Sequence, residues 1–522
     1  MSQSRLLINN TLATLLRMGL TFWLGLATTR LILAALGATD FGIYTVLAGG
    51  IGFIALLQPA FINSAQRHMA HEIGRGDQEA LRVVFSACVI AFAGVAALLC
   101  IVSLALLPAI LAIQKIPPER HQAATVVYLC MTSTLTLTAL GAPFGALAAA
   151  HQRLARITLF QIATSVGNLV AAIIIINSAG DRLMLYGGMV TLVNVGYMLA
   201  VMSYALRSFP HVRFSRRGVS WAQIRALGGF AGWILVDSMS WALRLQTSSF
   251  LLGVFFAPAI VAGYGVAVNV AAYQVQWASI LWAASMPALA AMHGAGRVDR
   301  MADLAVKISK MNGLLAQWFF VPIVLEMPTL LRAWLRSPPA EAPTFAVLVA
   351  SSMILPPLAS GIGMAMYAAD RGRPVAVISL VTSIVPLTLA AIIFATQPGA
   401  PPWVLAALML VATTCSLPVI VLLLGPRAGV SPRRFMREVV PPYVWVVAIE
   451  LAATLPIRLL MNESLLRAGL VLAVFIAVGA VAIWFFGLDD GDRVRFLNAL
   501  PSRLRRRIAR EEDPITPAGS EE

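Results

Sequence analysis

The chain has 522 residues, 59% of them hydrophobic and only 12% charged, against roughly 25% charged in soluble domains. So little charge cannot coat a globule of this size, and the mean hydropathy of +0.83 makes lipid the solvent. The formal charge of +15 would suggest nucleic acid in a soluble protein, but the basic residues here collect in short loops between apolar runs, which is a topology signal.

A helix needs about 20 apolar residues to cross the hydrocarbon, and the runs predict an all-α polytopic membrane protein of about fourteen transmembrane helices. The spans fall at 11–36, 41–66, 81–113, 123–147, 157–178, 184–206, 228–256, 258–290, 305–326, 343–368, 374–396, 402–424, 440–460 and 465–487. The first run is longer than the h-region of a cleavable signal peptide, which is about 7–15 residues. Cys88, Cys100, Cys130 and Cys415 lie inside apolar runs and read as small buried hydrophobes. No Cys or His spacing suggests a metal.

Alternating the loops between the two sides, from an inner N-terminus, divides the basic residues unequally. One set holds Arg67, Arg75, Arg82, Arg213, Arg216, Arg217, Arg427, Arg433, Arg434 and Arg437; the other holds Lys115, Arg120, Arg182, Arg332, Arg336, Arg458 and Arg467. The bias towards the first set predicts an even number of spans with both termini cytoplasmic. No outer loop is long enough to form a catalytic domain, so no enzyme activity and no cofactor beyond an ion or proton gradient are expected. The tail from 488 to 522 begins with Arg503, Arg505, Arg506, Arg507 and Arg510. It reads as a basic segment at the anionic inner leaflet followed by disorder.

An internal repeat organises the chain. His71-Glu72-Ile73-Gly74-Arg75-Gly76-Asp77, after the second span, matches His293-Gly294-Ala295-Gly296-Arg297-Val298-Asp299, after the eighth, as H-x-x-G-R-x-D. Gly42-Ile43-Tyr44 corresponds likewise to Ala262-Gly263-Tyr264. Six spans separate the copies, so the halves share one orientation. This predicts two six-helix lobes in a parallel pseudo-twofold repeat, plus two C-terminal helices. The expected domains are residues 1–207 (first lobe), 208–227 (cytoplasmic linker), 228–424 (second lobe), 425–487 (two extra helices) and 488–522 (tail).

Polar residues within the spans ask for a reason, since a central charge costs about 2.5–3.5 kcal/mol on insertion scales. In the first span Asn10, Thr14, Arg17, Thr21 and Thr28 form a stripe at helical spacing, favouring a cavity over snorkelling for Arg17; Arg30 lies on the opposite side near the outer end, where snorkelling is an equal reading. In the second span Gln58, Asn63 and Gln66 are polar, with Pro59 and Gly49, Gly50 and Gly52 as bend points. The seventh carries Trp233, Asp237, Trp241, Arg244 and Ser248 on one face; Asp237 and Arg244 are two turns apart, too far for a direct ion pair. In the eighth Asn269, Tyr273 and Gln276 align. Concentration in spans 1, 2, 7 and 8 predicts a central cavity, although each amide alone reads more readily as an interhelical bond. Glu326, at the end of the ninth span and read as interfacial, and Glu450, midway along the thirteenth, join Asp237 as candidates for proton or ion coupling. Arg75, Asp77, Arg297 and Asp299 of the repeated turns are gating candidates, able to pair between lobes; solvated loop charge is the plain alternative.

Leu36-Gly37-Ala38-Thr39-Asp40-Phe41-Gly42-Ile43-Tyr44, then Ser64-Ala65-Gln66-Arg67, Val84-Phe85-Ser86 and His151-Gln152-Arg153, resemble the polysaccharide transporters. These are the O-antigen and exopolysaccharide flippases of the multidrug/oligosaccharidyl-lipid/polysaccharide (MOP) exporter superfamily. The resemblance implies two lobes in a V that opens alternately to each side. It implies a polyprenyl-diphosphate-linked oligosaccharide as substrate, flipped across the bacterial inner membrane for exopolysaccharide, capsule or O-antigen assembly. Cavity arginines meet the phosphates in that family, and Arg17, Arg30 and Arg244 are the positions available here; the last two helices would take the lipid tail. Expected partners are the lipid-linked substrate and membrane lipids, with polysaccharide polymerase and export machinery as further candidates, and no nucleic acid. A cation-coupled multidrug antiporter of the same superfamily and a membrane-embedded polysaccharide polymerase or ligase are the rivals.

Overall fold

The computed structural model of the protein describes residues 3–55, 58–215, 218–221, 224, 232–489, 491 and 493, with side chains described there except at 3–18, 59–60, 154–155, 232–235, 238 and 275–284. Every regular element among the described residues is helical. Lipid offers no partner to a backbone N–H, so a spanning segment satisfies its amides within its own helix. The tail from 494 and, in the basic inter-lobe linker, residues 216–217, 222–223 and 225–227 lie outside the described residues.

The first two predicted spans share one helix, α1 (Gln3–Ile54), bent at Gly37 with φ 73 and ψ 175. Nothing crowds Gly37; glycine is needed for this backbone conformation itself. Within the second span α1 ends at Ile54, and α2 (Gln58–Arg75) begins at Gln58, with Pro59 in the first turn, where a missing N–H costs nothing. Next come α3 (Gln78–Ile113), α4 (His121–Ala150), α5 (Leu154–Ile176) and α6 (Arg182–Ser208). The second half runs through α7 (Gly232–Ala242), a π-helical turn (Leu243–Thr247), α8 (Ser248–Phe255), α9 (Pro258–Gly294), α10 (Val298–Leu325) and α11 (Met327–Leu335). It continues with α12 (Ala342–Ser351), α13 (Ser360–Ala368), α14 (Arg373–Thr396) and α15 (Val404–Val419). A short α16 (Pro432–Glu438) leads into the final pair, α17 (Val440–Leu460) and α18 (Leu465–Ala482).

Eleven helical stretches among the described residues are long and apolar enough to cross a membrane. Fewer than fourteen appear because the first two predicted spans are continuous, and the seventh and eighth contain side chains outside the described set. At about 1.5 Å per residue, the 37 residues of α9 are long enough to cross.

Packing repeats between the halves. In the first, α1 packs on α5, α3 on α4, α2 on α4 and α5 on α6; in the second, α7 packs on α14, α10 on α13, α9 on α13 and α14 on α15. The repeated turn also recurs, but in a different register from the H-x-x-G-R-x-D match. The glycine that turns the chain is Gly76 (φ 73) in the first copy and Gly296 (φ 67) in the second, an offset of 220, as for Tyr44 and Tyr264. Gly74, the motif's partner for Gly296, lies inside α2. Asp77 therefore corresponds to Arg297: both are N-cap residues, but only the Asp77 side chain accepts a bond, from the Ala80 amide at 2.9 Å.

The buried apolar residues form one large cluster near Asp40, drawing on both halves: Ile32, Phe41 and Leu47 with Leu252, Val261 and Tyr264. Towards Gly76 the core divides. Met69, Phe85, Phe92 and Phe144 belong to the first half, and Leu289, Ala302, Ile362 and Val421 to the second. Phe209 and Val212, at the start of the linker, join the first-half cluster, and Ser215 donates its amide to Ser86 Oγ at 3.0 Å. The final helix pair packs on α10 through Leu314, Val446 and Ala482.

Candidate substrate cleft

Small residues let the halves meet near Asp40. A Cβ on Gly42 would overlap the Pro258 carbonyl, one on Gly49 would lie 2.7 Å from the Gln246 carbonyl oxygen, and one on Gly265 would lie 2.6 Å from Thr45 Oγ1. Around this seam Lys115 donates its amide to the Gly253 carbonyl at 3.1 Å and its ammonium to the Phe255 carbonyl at 2.6 Å. Gln114 donates to the Phe250 carbonyl at 3.2 Å, and Trp334 Nε1 to the Leu26 carbonyl at 2.8 Å. These contacts join spans of opposite halves. At the same end Arg120 bridges Asp40 and Asp181, with Nε to Asp40 Oδ1 at 2.9 Å and Nη1 to Asp181 Oδ2 at 2.7 Å.

Arg244 stands on the π-helical turn of the seventh span. Such a turn carries an extra residue and rotates the helix beyond it. Its Nη2 donates to Thr382 Oγ1 of α14 at 3.2 Å, its Cζ lies 5.4 Å from the centre of the Trp241 ring, and its Nε is buried without a partner. The Ser379 and Tyr367 hydroxyls face the Asp237 carboxylate. No ion pair within 4.0 Å joins Asp237 to Arg244. Both residues thus turn towards the helices of their own half, where Ser383 Oγ also donates to the Ser240 carbonyl at 2.9 Å. Tyr367, Ser379 and Thr382 carried no signal in the sequence, because isolated hydroxyls in apolar helices commonly bond their own backbone.

Gln58 and Asn269 are half-buried and Asn63 is exposed. The side chains of Arg17 and Gln276 lie outside the described residues. Gln274, off the polar face that the eighth span's spacing marked, is buried; it donates to the Ala350 carbonyl at 3.3 Å and leaves its Oε1 unpaired. Arg30 lines a cavity of about 1180 Å³ between α1 and α11.

Glu326, read from the sequence as interfacial, is fully buried among protein atoms. It accepts from Arg467 Nη2 at 2.8 Å and lies 3.8 Å from Arg458 Nε, tying α10 to the final helix pair. Glu450, also fully buried, accepts from Gln317 Nε2 at 3.3 Å. Arg75 is exposed and 3.8 Å from Glu72 on its own helix; Arg297 and Asp299 are exposed. The structure thus brings Asp237 and Arg244 onto one pair of helices, and sets Glu326, Glu450 and the turn residues apart from them.

No family model and no curated protein matches the chain. Solved structures share the fold. An inward-facing multidrug resistance MATE transporter of the MOP superfamily aligns with TM-score 0.64 and 15% identity, covering 80% of this chain and 98% of its own. An outward-facing one aligns with TM-score 0.56, also at 15% identity, over 80% and 95%. The lipid II flippase MurJ in an inward closed conformation aligns with TM-score 0.61 and 12% identity, covering 92% of this chain and 98% of its own.

Proposed function

We propose that the protein is a membrane transporter that flips polyprenyl-diphosphate-linked oligosaccharide units across the bacterial inner membrane by alternating access, with both termini cytoplasmic. The observation that carries this reading is Arg244: a guanidinium inside a membrane-spanning bundle, held by one hydroxyl and an aromatic ring, with no carboxylate in ion-pair range among the described residues. A fixed fork left partly unpaired suits a diphosphate, whose oxygens accept two bonds at once. The shared core near Asp40 and the divided cores towards Gly76 fit a cleft shut on one side, and the higher score against the inward-facing MATE supports a periplasmic position for the Asp40 side. The flippase neighbour extends over more of this chain than the MATE transporters do, which supports a tail-binding part for α17 and α18.

The test is flipping of a lipid-linked oligosaccharide in proteoliposomes. Removing Arg244 loses a charge-assisted contact of about 1.5–3 kcal/mol, so Arg244→Ala is expected to weaken affinity about ten- to a hundredfold, with partial rescue by lysine. Wild-type flipping by the alanine variant would remove the phosphate role. The multidrug antiporter reading rests on the MATE likeness and on Asp237; gradient-driven efflux of cationic dyes, lost in Asp237→Asn, would favour it instead.

A further inference from the structure

The basic residues near Asp40 are nearly all engaged. Arg120 bridges Asp40 and Asp181, and Arg182 donates to the Ala35 carbonyl at 3.1 Å. Arg332 pairs with Glu463, Arg458 and Arg467 flank Glu326, and Lys115 donates to the Phe255 carbonyl. Arg30 and Arg336 differ: neither guanidinium has an ion pair or hydrogen bond among the described residues, and both line the cavity between α1 and α11. No carboxylate among the described residues lines that cavity; its walls are apolar, including Trp23, Leu31, Ile176 and Trp334. Trp23 is 69% exposed. Arg336 ends α11 with φ 61, a conformation that glycine adopts without a Cβ penalty, so an arginine is kept where the backbone favours its absence.

We propose that this cavity binds the head of a lipid bearing a terminal phosphate monoester or diphosphate, clamped between Arg30 of the first half and Arg336 of the second, with its chain along the apolar wall. Two unpaired guanidiniums match a group with close to two negative charges, which a phosphate monoester carries at neutral pH. A phosphodiester phospholipid carries one. The volume exceeds that of a drug-sized pocket, roughly 300–1,000 Å³, leaving room for the start of a chain beside the head. Because the clamp spans both halves, occupancy holds the Asp40 end shut. The proposal rests on the flippase reading for the identity of the lipid, and makes this site a station at the Asp40 end, separate from Arg244.

Binding is measured on the purified full chain in detergent by native mass spectrometry, using a polyprenyl monophosphate, phosphatidylglycerol and inorganic diphosphate as probes. The monophosphate is expected to bind at least about tenfold more tightly than either comparison. Arg30→Gln and Arg336→Gly should each weaken it by a similar factor. Arg336→Gly relieves the backbone, so its melting temperature should hold or rise while binding falls, separating loss of the site from loss of the fold. Equal affinity for phosphatidylglycerol, equal affinity for inorganic diphosphate, or undiminished binding in both arginine variants would overturn the site. Binding without flipping would instead retire the flippase reading and leave the site standing.

Discussion

Gln317 donates its side-chain amide to Glu450 across 3.3 Å, where both residues are fully buried between α10 and the final helix pair. Glu450 Oε2 and Gln317 Oε1 are left without a donor. A carboxamide at position 450 can supply one through its NH2. Glu450→Gln is therefore expected to keep or raise the melting temperature in detergent. Glu450→Leu strands Gln317 and should cost about 1–3 kcal/mol. If Glu450 carries the coupling proton, the glutamine variant will also lose gradient dependence while remaining folded. Equal destabilisation by glutamine and leucine would rule out the hydrogen-bond account.

The Glu326–Arg467 pair is the fixed joint between α10 and α18. Removing one partner of a buried pair costs about 3–5 kcal/mol, and here Arg458, 3.8 Å from Glu326, offsets part of the loss. Arg467→Met alone should lower the melting temperature steeply, and Glu326→Gln combined with Arg467→Met should recover much of the loss. A double-mutant cycle in detergent measures the coupling. Additive losses would show that the two residues act separately.

The turn register can be checked with three alanines. Gly76 and Gly296 hold positive φ, so Gly76→Ala and Gly296→Ala should each destabilise by about 1–2 kcal/mol. Gly74 sits in a helix with open space around it, and Gly74→Ala should be neutral or stabilising by up to about 1 kcal/mol. The reverse ranking in thermal unfolding would restore the equivalence of Gly74 with Gly296.

At the seam, Gly42 leaves no room for a side chain against the Pro258 carbonyl. Gly42→Val is expected to wedge the Asp40 end open rather than unfold either half, because each half keeps its own core towards Gly76. A cysteine at Thr45, in a background lacking Cys88, Cys100, Cys130 and Cys415, should gain reactivity towards an aqueous maleimide in the Gly42→Val protein. Unchanged labelling with an unchanged melting temperature would contradict a close seam there.

The apolar runs and their order were legible in the sequence because lipid solvation acts residue by residue, and a run of apolar side chains needs no distant partner to become a helix. The repeat was legible through the paired H-x-x-G-R-x-D turns and through the correspondence of Tyr44 with Tyr264. Its turn register was not: Gly74 and Gly76 are both glycines, and only the folded backbone shows which one takes positive φ. Long polar side chains escaped the sequence further. Glu326 finds its arginine 141 positions away, Asp237 and Arg244 turn onto hydroxyls of α13 and α14, and Arg30 and Arg336 line one cavity. Spacing along one helix can say that a charge needs company, but which charge is answered and which stays open depends on how helices from distant parts of the chain are packed together.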